Sequence, residues 1–426
     1  MMMMAEKYGT LQRCGRTTVN LYGLHYTNHT RWITVVVHVI IICCIPGIYC
    51  QRRIVNGTLS IGEPRYLVYF VESPKSYKEY KGWLCGGAII HPLYILTSAA
   101  CLDDVKYVYA IAGYNKYVKT EDVEKDECTK RTKNKVVARS YQKDVNENKN
   151  SSHWDYRDIS LAKVEIPYDF RDPVYATYCS YIPSMIRVNY NNDFEVSGTQ
   201  AVTFGWGHKK YYRLVGDTKD YNENFVNYAS TVVMDKESCK KQLNGHDELK
   251  LQISLYLLCT SGPGSLDENG KITDIVVFND TTNCATKKSY AHKYKDSEKV
   301  HNSLDTTSYF YVTKNMRKSL NNQLNYRKNG PCQNDHGGPL ITWIGGREYI
   351  IGVACGFQVN NKMECVGPYL YTSTYSNGEF IYCILRFSRR SKLCSISPQQ
   401  KGYQIIEEDI VWKDNVKTAQ LRAGNL

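Results

Sequence analysis

The chain runs to 426 residues, 42% hydrophobic and 23% charged, a globular composition that excludes the disordered and fibrous classes. Its net charge of +12 comes from 54 Lys and Arg against 42 Asp and Glu spread along the whole sequence, and without a basic stripe or a recognisable module it argues against nucleic acid as a partner. Sixteen cysteines with no CxxC pair point to disulfides formed in an oxidising compartment and away from a reduced cytosolic enzyme. The basic runs Thr129–Lys135 and Arg386–Lys392 read as solvated loops.

In chain order, the first feature is the apolar run Trp32–Ile45, followed by Pro46-Gly47 and preceded by Lys7, Arg13, Arg16 and Arg31 against Glu6. A basic flank, 14 apolar residues and a helix breaker describe a secretory signal, so residues 1–50 are assigned as a leader. The run falls short of the roughly 20 residues of a membrane span. The 31 residues ahead of it keep a signal-anchor open as the alternative. Removing residues 1–50 leaves twelve cysteines, the even number that a fully paired secreted chain requires, whereas keeping Cys50 makes it odd.

Beyond the leader, stretches rich in β-branched and aromatic residues recur between turn signals, at Ala88–Thr97, Val105–Tyr114, Gln200–Gly205, Glu348–Cys355 and Tyr369–Thr372. Long helical periodicity is nearly absent, so the expected class is all-β, stapled by disulfides. Between Cys259 and Cys332 lie 72 residues carrying a sequon at Asn279, Cys284, a strand-like Ile272–Phe278 and a basic, Asn-rich end at Lys314–Lys328. A lid or partner-binding face and a mobile glycosylated loop are both open for this insertion, residues 260–331. Further sequons stand at Asn56 and Asn150. Residues 391–426 form a tail in which Ile405–Trp412 reads as a helix.

Six ordered motifs then carry a resemblance. Gln51-Arg-Arg-Ile-Val-Asn-Gly57 is a dibasic site followed by Ile-Val-x-Gly; Cys85-Gly-Gly-Ala-Ile-Ile90 and Tyr94-Ile-Leu-Thr-Ser-Ala-Ala-Cys101 follow. Next come Asp158-Ile-Ser-Leu-Ala-Lys163, Val202-Thr-Phe-Gly-Trp-Gly207 and Cys332-Gln-Asn-Asp-His-Gly-Gly-Pro-Leu340. Together they resemble the landmarks of the trypsin/chymotrypsin family of serine proteases. The resemblance implies two six-stranded antiparallel β-barrels with a cleft between them, here with a long insertion and a C-terminal extension. It implies a short pro-segment at residues 51–53 and a protease domain over 54–390. It also implies the disulfides Cys85–Cys101, Cys239–Cys259 and Cys332–Cys365. Cys179 resembles the family cysteine that often tethers the propeptide, although cysteine parity disfavours Cys50 as its partner. Cys383–Cys394 is a pairing suggested by proximity alone.

Hydrolysis in this family needs a serine nucleophile, an imidazole to take its proton and a buried carboxylate to orient that imidazole. The resemblance maps the carboxylate onto Asp158, but the imidazole position onto Ala100 and the nucleophile position onto His336. A methyl group accepts no proton, and His336 as a nucleophile lacks a base; the expected role is an ion pair or hydrogen bond with Asp158 in the emptied cleft. No ligand-spaced set accompanies His336, so neither a metal nor any other cofactor is expected. Asn334 stands where a glycine N–H forms the oxyanion hole, with a side chain projecting into space that the glycine leaves free. Gly330 stands at the base of the specificity pocket, Ala354 and Gly356 at its edge, and Tyr369 where a glycine keeps it open; a tyrosine there fills it. The activation machinery matches more closely: a cut after Arg53 would free the ammonium of Ile54 to meet Asp335.

The reading is a secreted protease homologue without catalytic activity, acting on extracellular proteins, active serine proteases or their substrates as a binder, cofactor or decoy. An endopeptidase working through a non-standard site and a membrane-anchored module are the alternatives, membrane contact arising only through residues 32–45 if they are retained.

Overall fold

A computed structural model describes residues 57–76, 82–144, 157–208, 212–214, 216–243, 247–273, 330–386, 394 and 403–412. The leader, Arg53, Ile54, the sequons at Asn56, Asn150 and Asn279, and most of the insertion lie outside them. In chain order the strands are β1 (Thr58–Leu59), β2 (Leu67–Glu72), β3 (Leu84–His91), β4 (Tyr94–Thr97), β5 (Val108–Ala112), β6 (Asn134–Asp144) and β7 (Ser160–Val164). There follow β8 (Arg187–Val188), β9 (Gln200–Gly205), β10 (Asn227–Val233), β11 (Leu257–Ser261), β12 (Pro339–Ile344), β13 (Arg347–Val359), β14 (Cys365–Ser373) and β15 (Tyr403–Asp409).

Two six-stranded antiparallel barrels result. The first closes in the order β6-β5-β2-β3-β4-β7, with β7 returning to β6 and β15 added outside the ring. The second closes as β10-β11-β14-β13-β12-β9, with β9 returning to β10, while β1 and β8 are appended.

The period of two along each strand decides which core a side chain enters. In β2, Val68 and Phe70 point into the first barrel, beside Ile89, Ile95 and Ala110. The alternate residues Leu67, Tyr69 and Val71 join a second cluster with Phe204, Trp206, Ile341 and Val353 of the other barrel. The strand is therefore buried on both faces and carries apolar residues nearly throughout, whereas β10 alternates buried and half-buried residues along its length. The shared cluster fixes the barrels against each other and so fixes the cleft.

Five disulfides staple this framework: Cys85–Cys101, Cys239–Cys259, Cys332–Cys365, Cys383–Cys394 and Cys128–Cys179. The last corrects the propeptide reading of Cys179. Cys128 sits in the first turn of the helix Glu127–Thr132 and Cys179 caps the helix Pro173–Tyr178, which brings their Cα atoms within 4.9 Å. Cys355, on β13, is a free thiol, so the even cysteine count does not amount to a fully bridged set. The tail also departs from expectation. Tyr403–Asp409 is a strand, since the open side of β6 offers it a ladder from Ala138 to Asp144, and tertiary pairing overrides local helix preference. Thr129–Lys135 is likewise no loop: it runs from the end of a helix into β6. The first insertion residues belong to the second barrel, where Ser265 N–H donates to Gln200 Oε1 (2.8 Å) and Leu266 N–H to Ser230 Oγ (3.0 Å).

Candidate active-site cleft

Asp158 lies just ahead of β7 and is 8% exposed. Burial of a carboxylate requires donors, and the first barrel supplies two. Ser98 caps the helix Ala99–Asp104, and its hydroxyl donates to Asp158 Oδ1 at 2.6 Å. The backbone N–H of Ala100 donates to the same oxygen at 2.9 Å, so this residue serves Asp158 through its main chain while its side chain is a methyl group. From the second barrel, Thr372 Oγ1 donates to the Asp158 carbonyl at 2.9 Å.

The remaining carboxylate oxygen, Oδ2, meets Nε2 of His336 at 2.5 Å. The backbone brings the imidazole there. Gly86 N–H donates to the His336 carbonyl (2.7 Å), and a Cβ at Gly86 would lie 2.7 Å from Gly338 Cα, so only glycine lets β3 approach this turn. Burial by itself raises the Asp158 pKa, but the charge and hydrogen bond of His336, then the Ala100 and Ser98 donors, bring it below the ordinary carboxylate value. Burial lowers that of His336, and the Asp158 carboxylate overrides this and raises it. The geometry is therefore that of an ion pair bridging the two barrels. The free thiol of Cys355 is no substitute nucleophile, because burial first and the charge of Asp158 second push its pKa far above the thiol range.

The oxyanion and pocket positions are equally altered. Asn334 adopts a left-handed backbone (φ 73°), a conformation that asparagine tolerates better than most residues. Its Nδ2 donates to Gly82 O (2.9 Å) and Asn222 Oδ1 (2.7 Å) and approaches His208 Nε2 (3.4 Å), so the side chain is drawn into a buried polar cluster. Tyr369 is fully buried with its ring against Gly330, where a Cβ would fall 2.4 Å from the ring carbon Cδ2. Gly356 faces Leu370, and Ala354 exchanges backbone hydrogen bonds with Gly337 and Gly338, both at 2.8 Å. The rim is bridged as well: Tyr212 N–H donates to Met363 O (2.7 Å), and Arg213 N–H to Gln333 Oε1 (2.8 Å). Sequence reasoning missed this bridge, which no motif announces, and it missed Ser98, whose position as helix N-cap was the available signal.

Asp335 is buried between Gly205 and Gly207, either of which would drive a Cβ into its carboxylate. It accepts from Gly207 N–H (2.7 Å) and Cys332 N–H (3.0 Å). Among the described residues no cation pairs with it, and burial raises its pKa from 3.8 to about 7 despite the two amides. Between those values the folded chain holds a proton that the unfolded chain has released, so stability falls as pH rises through the window and levels above it. Asp335→Asn is expected to flatten that slope while costing some stability overall, as read from urea midpoints at about pH 5 and about pH 8.

Among the described residues no group of three metal-ligating side chains gathers. Nor is any helix among them long and apolar enough to cross a membrane. Comparison with known proteins gives a consistent assignment. The chain is 28% identical over 198 residues to coagulation factor XI of Bos taurus, covering 46% of this chain and 27% of that protein. It is 30% identical over 130 residues to snake venom serine protease 2B of Craspedocephalus gramineus, covering 30% of this chain and 43% of that protein. The chain thus spans less than half the length of either relative. The trypsin family model matches residues 73–295, just over half of the sequence. With two closed barrels, their staples and this match together, the chain belongs to the trypsin family.

Proposed function

We infer that this chain is a catalytically silent, secreted member of the trypsin family that acts by binding extracellular proteins, among them active serine proteases or their substrates. The observation that carries the reading is the 2.5 Å contact of His336 with Asp158, with Ala100 at the position of the general base. Catalysis in this family needs a hydroxyl within reach of an unprotonated imidazole. Here the imidazole stands at the nucleophile position and is committed to the carboxylate. The filled pocket at Tyr369 supports the same reading, since no side chain of a substrate can enter it. The five disulfides support an oxidising, extracytosolic setting.

The expected result is that a serine-reactive fluorophosphonate leaves the purified protein unlabelled, both intact and after a trypsin-like cut behind Arg53. Stoichiometric labelling that disappears in the presence of a peptide substrate would overturn the inference.

The same cut supplies a switch. Freed by it, the ammonium of Ile54 would find in Asp335 a buried carboxylate in need of a cation, and the ion pair would order the surrounding loops. The cleaved protein should be more stable than the intact one above about pH 7, and its stability should no longer fall between pH 4 and 7. Equal pH profiles before and after cleavage would remove the switch.

A further inference from the structure

The strand β15 is not needed to close either barrel. It lies along the part of β6 that β5 leaves open: β5 pairs only with Asn134 and Lys135, whereas β15 runs opposite Ala138 to Asp144. Its side chains match that edge in charge. Glu407, Glu408 and Asp409 stand beside a strand bearing Lys135, Arg139 and Lys143. Glu408 accepts from Arg139 Nε (2.8 Å) and from the Tyr141 hydroxyl (2.6 Å). Beyond the ladder, Trp412 Nε1–H donates to Val136 O (2.8 Å), and its ring lies 5.2 Å from that of Tyr107 and 5.3 Å from that of Tyr109.

At its other end the strand reaches the cleft. Tyr403 is buried, and the guanidinium of Arg157, the residue before Asp158, lies 4.1 Å from its ring. Arg157 also lies 4.5 Å from the ring of Tyr256 and donates to the Tyr256 hydroxyl (2.8 Å) and to Gln142 Oε1 (3.1 Å). Gln142 in turn donates to Asn377 Oδ1 at 2.8 Å. Tail, first barrel and second barrel therefore meet one residue away from the carboxylate that holds His336.

We propose that β15 is a detachable strand, and that the β6 edge from Ala138 to Asp144 is a recognition site for extended acidic peptides followed by an aromatic residue, with residues 403–412 as its resident occupant. The backbone ladder supplies sequence-independent affinity, and the Arg139 and Trp412 contacts supply selectivity. Exchange of the occupant moves Tyr403 away from Arg157, so the contact between Asp158 and His336 senses what is bound.

The test uses the full chain carrying Ile406→Pro, which removes a ladder N–H opposite Tyr141. Hydrogen exchange of the β6 amides between Ala138 and Asp144 is expected to accelerate about tenfold or more, and the His336 imidazole resonances to shift. A synthetic peptide of residues 403–412 should restore both, and the same peptide carrying Glu408→Lys should restore neither. Failure of the first peptide to protect β6, with β2 and β13 amides still protected, would overturn the proposal, as would equal protection by both peptides. If Ile406→Pro yields no folded protein, Glu408→Lys in the full chain carries the test: unchanged exchange along β6 refutes the site, and faster exchange reversed by the unsubstituted peptide supports it.

Discussion

Replacing Tyr369 by alanine should destabilise the protein by about 3–5 kcal/mol, the range for truncating a fully buried aromatic side chain. Tyr369 has no exposed surface, and its ring fills the space beside Gly330 and Gly367. Neither glycine can grow a side chain into the vacancy, so little of the cavity can be reclaimed by relaxation. The same vacancy should accept a small aromatic molecule: indole is expected to raise the melting temperature of Tyr369→Ala and leave that of the unsubstituted chain unchanged. A loss below about 1 kcal/mol in denaturant unfolding would show that the tyrosine does not fill the site.

His336→Ala should cost about 2 kcal/mol, less than the 3–5 kcal/mol typical of breaking a fully buried ion pair. Two observations set the lower figure. The side chain of His336 is 31% exposed against 10% for Asp158, and Asp158 keeps its donors at Ser98 and Ala100 after the substitution. The cost should also depend on pH. With its pKa raised from 6.5 by Asp158 against the opposing effect of burial, His336 contributes fully below that value, and its contribution fades as pH rises through the folded one. Asp158, lowered from 3.8 by His336 and its donors although burial opposes this, contributes above that value and loses its contribution as pH falls through the folded one. The difference in unfolding free energy between the two chains should therefore be largest between about pH 4 and pH 6.5 and shrink in alkali. A difference that grows above neutral pH would contradict the ion pair.

How much of this was legible in the sequence follows from how local each feature is. The glycines around Cys85 and His336 mark places where backbones touch, and motifs built on such constraints survive as short strings that can be read directly. The meeting of Asp158 with His336 and the burial of Tyr369 followed from placing those strings in one framework. The Cys128–Cys179 bridge did not, because it joins two short helices that no local pattern ties together. Nor did β15 or the stacking of Arg157 on Tyr403: an isolated run such as Tyr-Gln-Ile-Ile-Glu-Glu-Asp has no preference strong enough to reveal its state. Its conformation is set by an open edge some 260 residues earlier in the chain.

That separation also governs the order of assembly. During synthesis the first barrel can close on its own six strands long before residues 403–409 emerge from the ribosome. Until then the half of β6 from Ala138 to Asp144 presents unpaired backbone groups, the condition under which sheet edges join the wrong neighbours. Arg139 and Lys143 project from that stretch, and charged side chains on an open edge discourage such joining. The residues that later greet the acidic strand therefore act first as its placeholder, keeping the nascent barrel solitary until its last strand arrives.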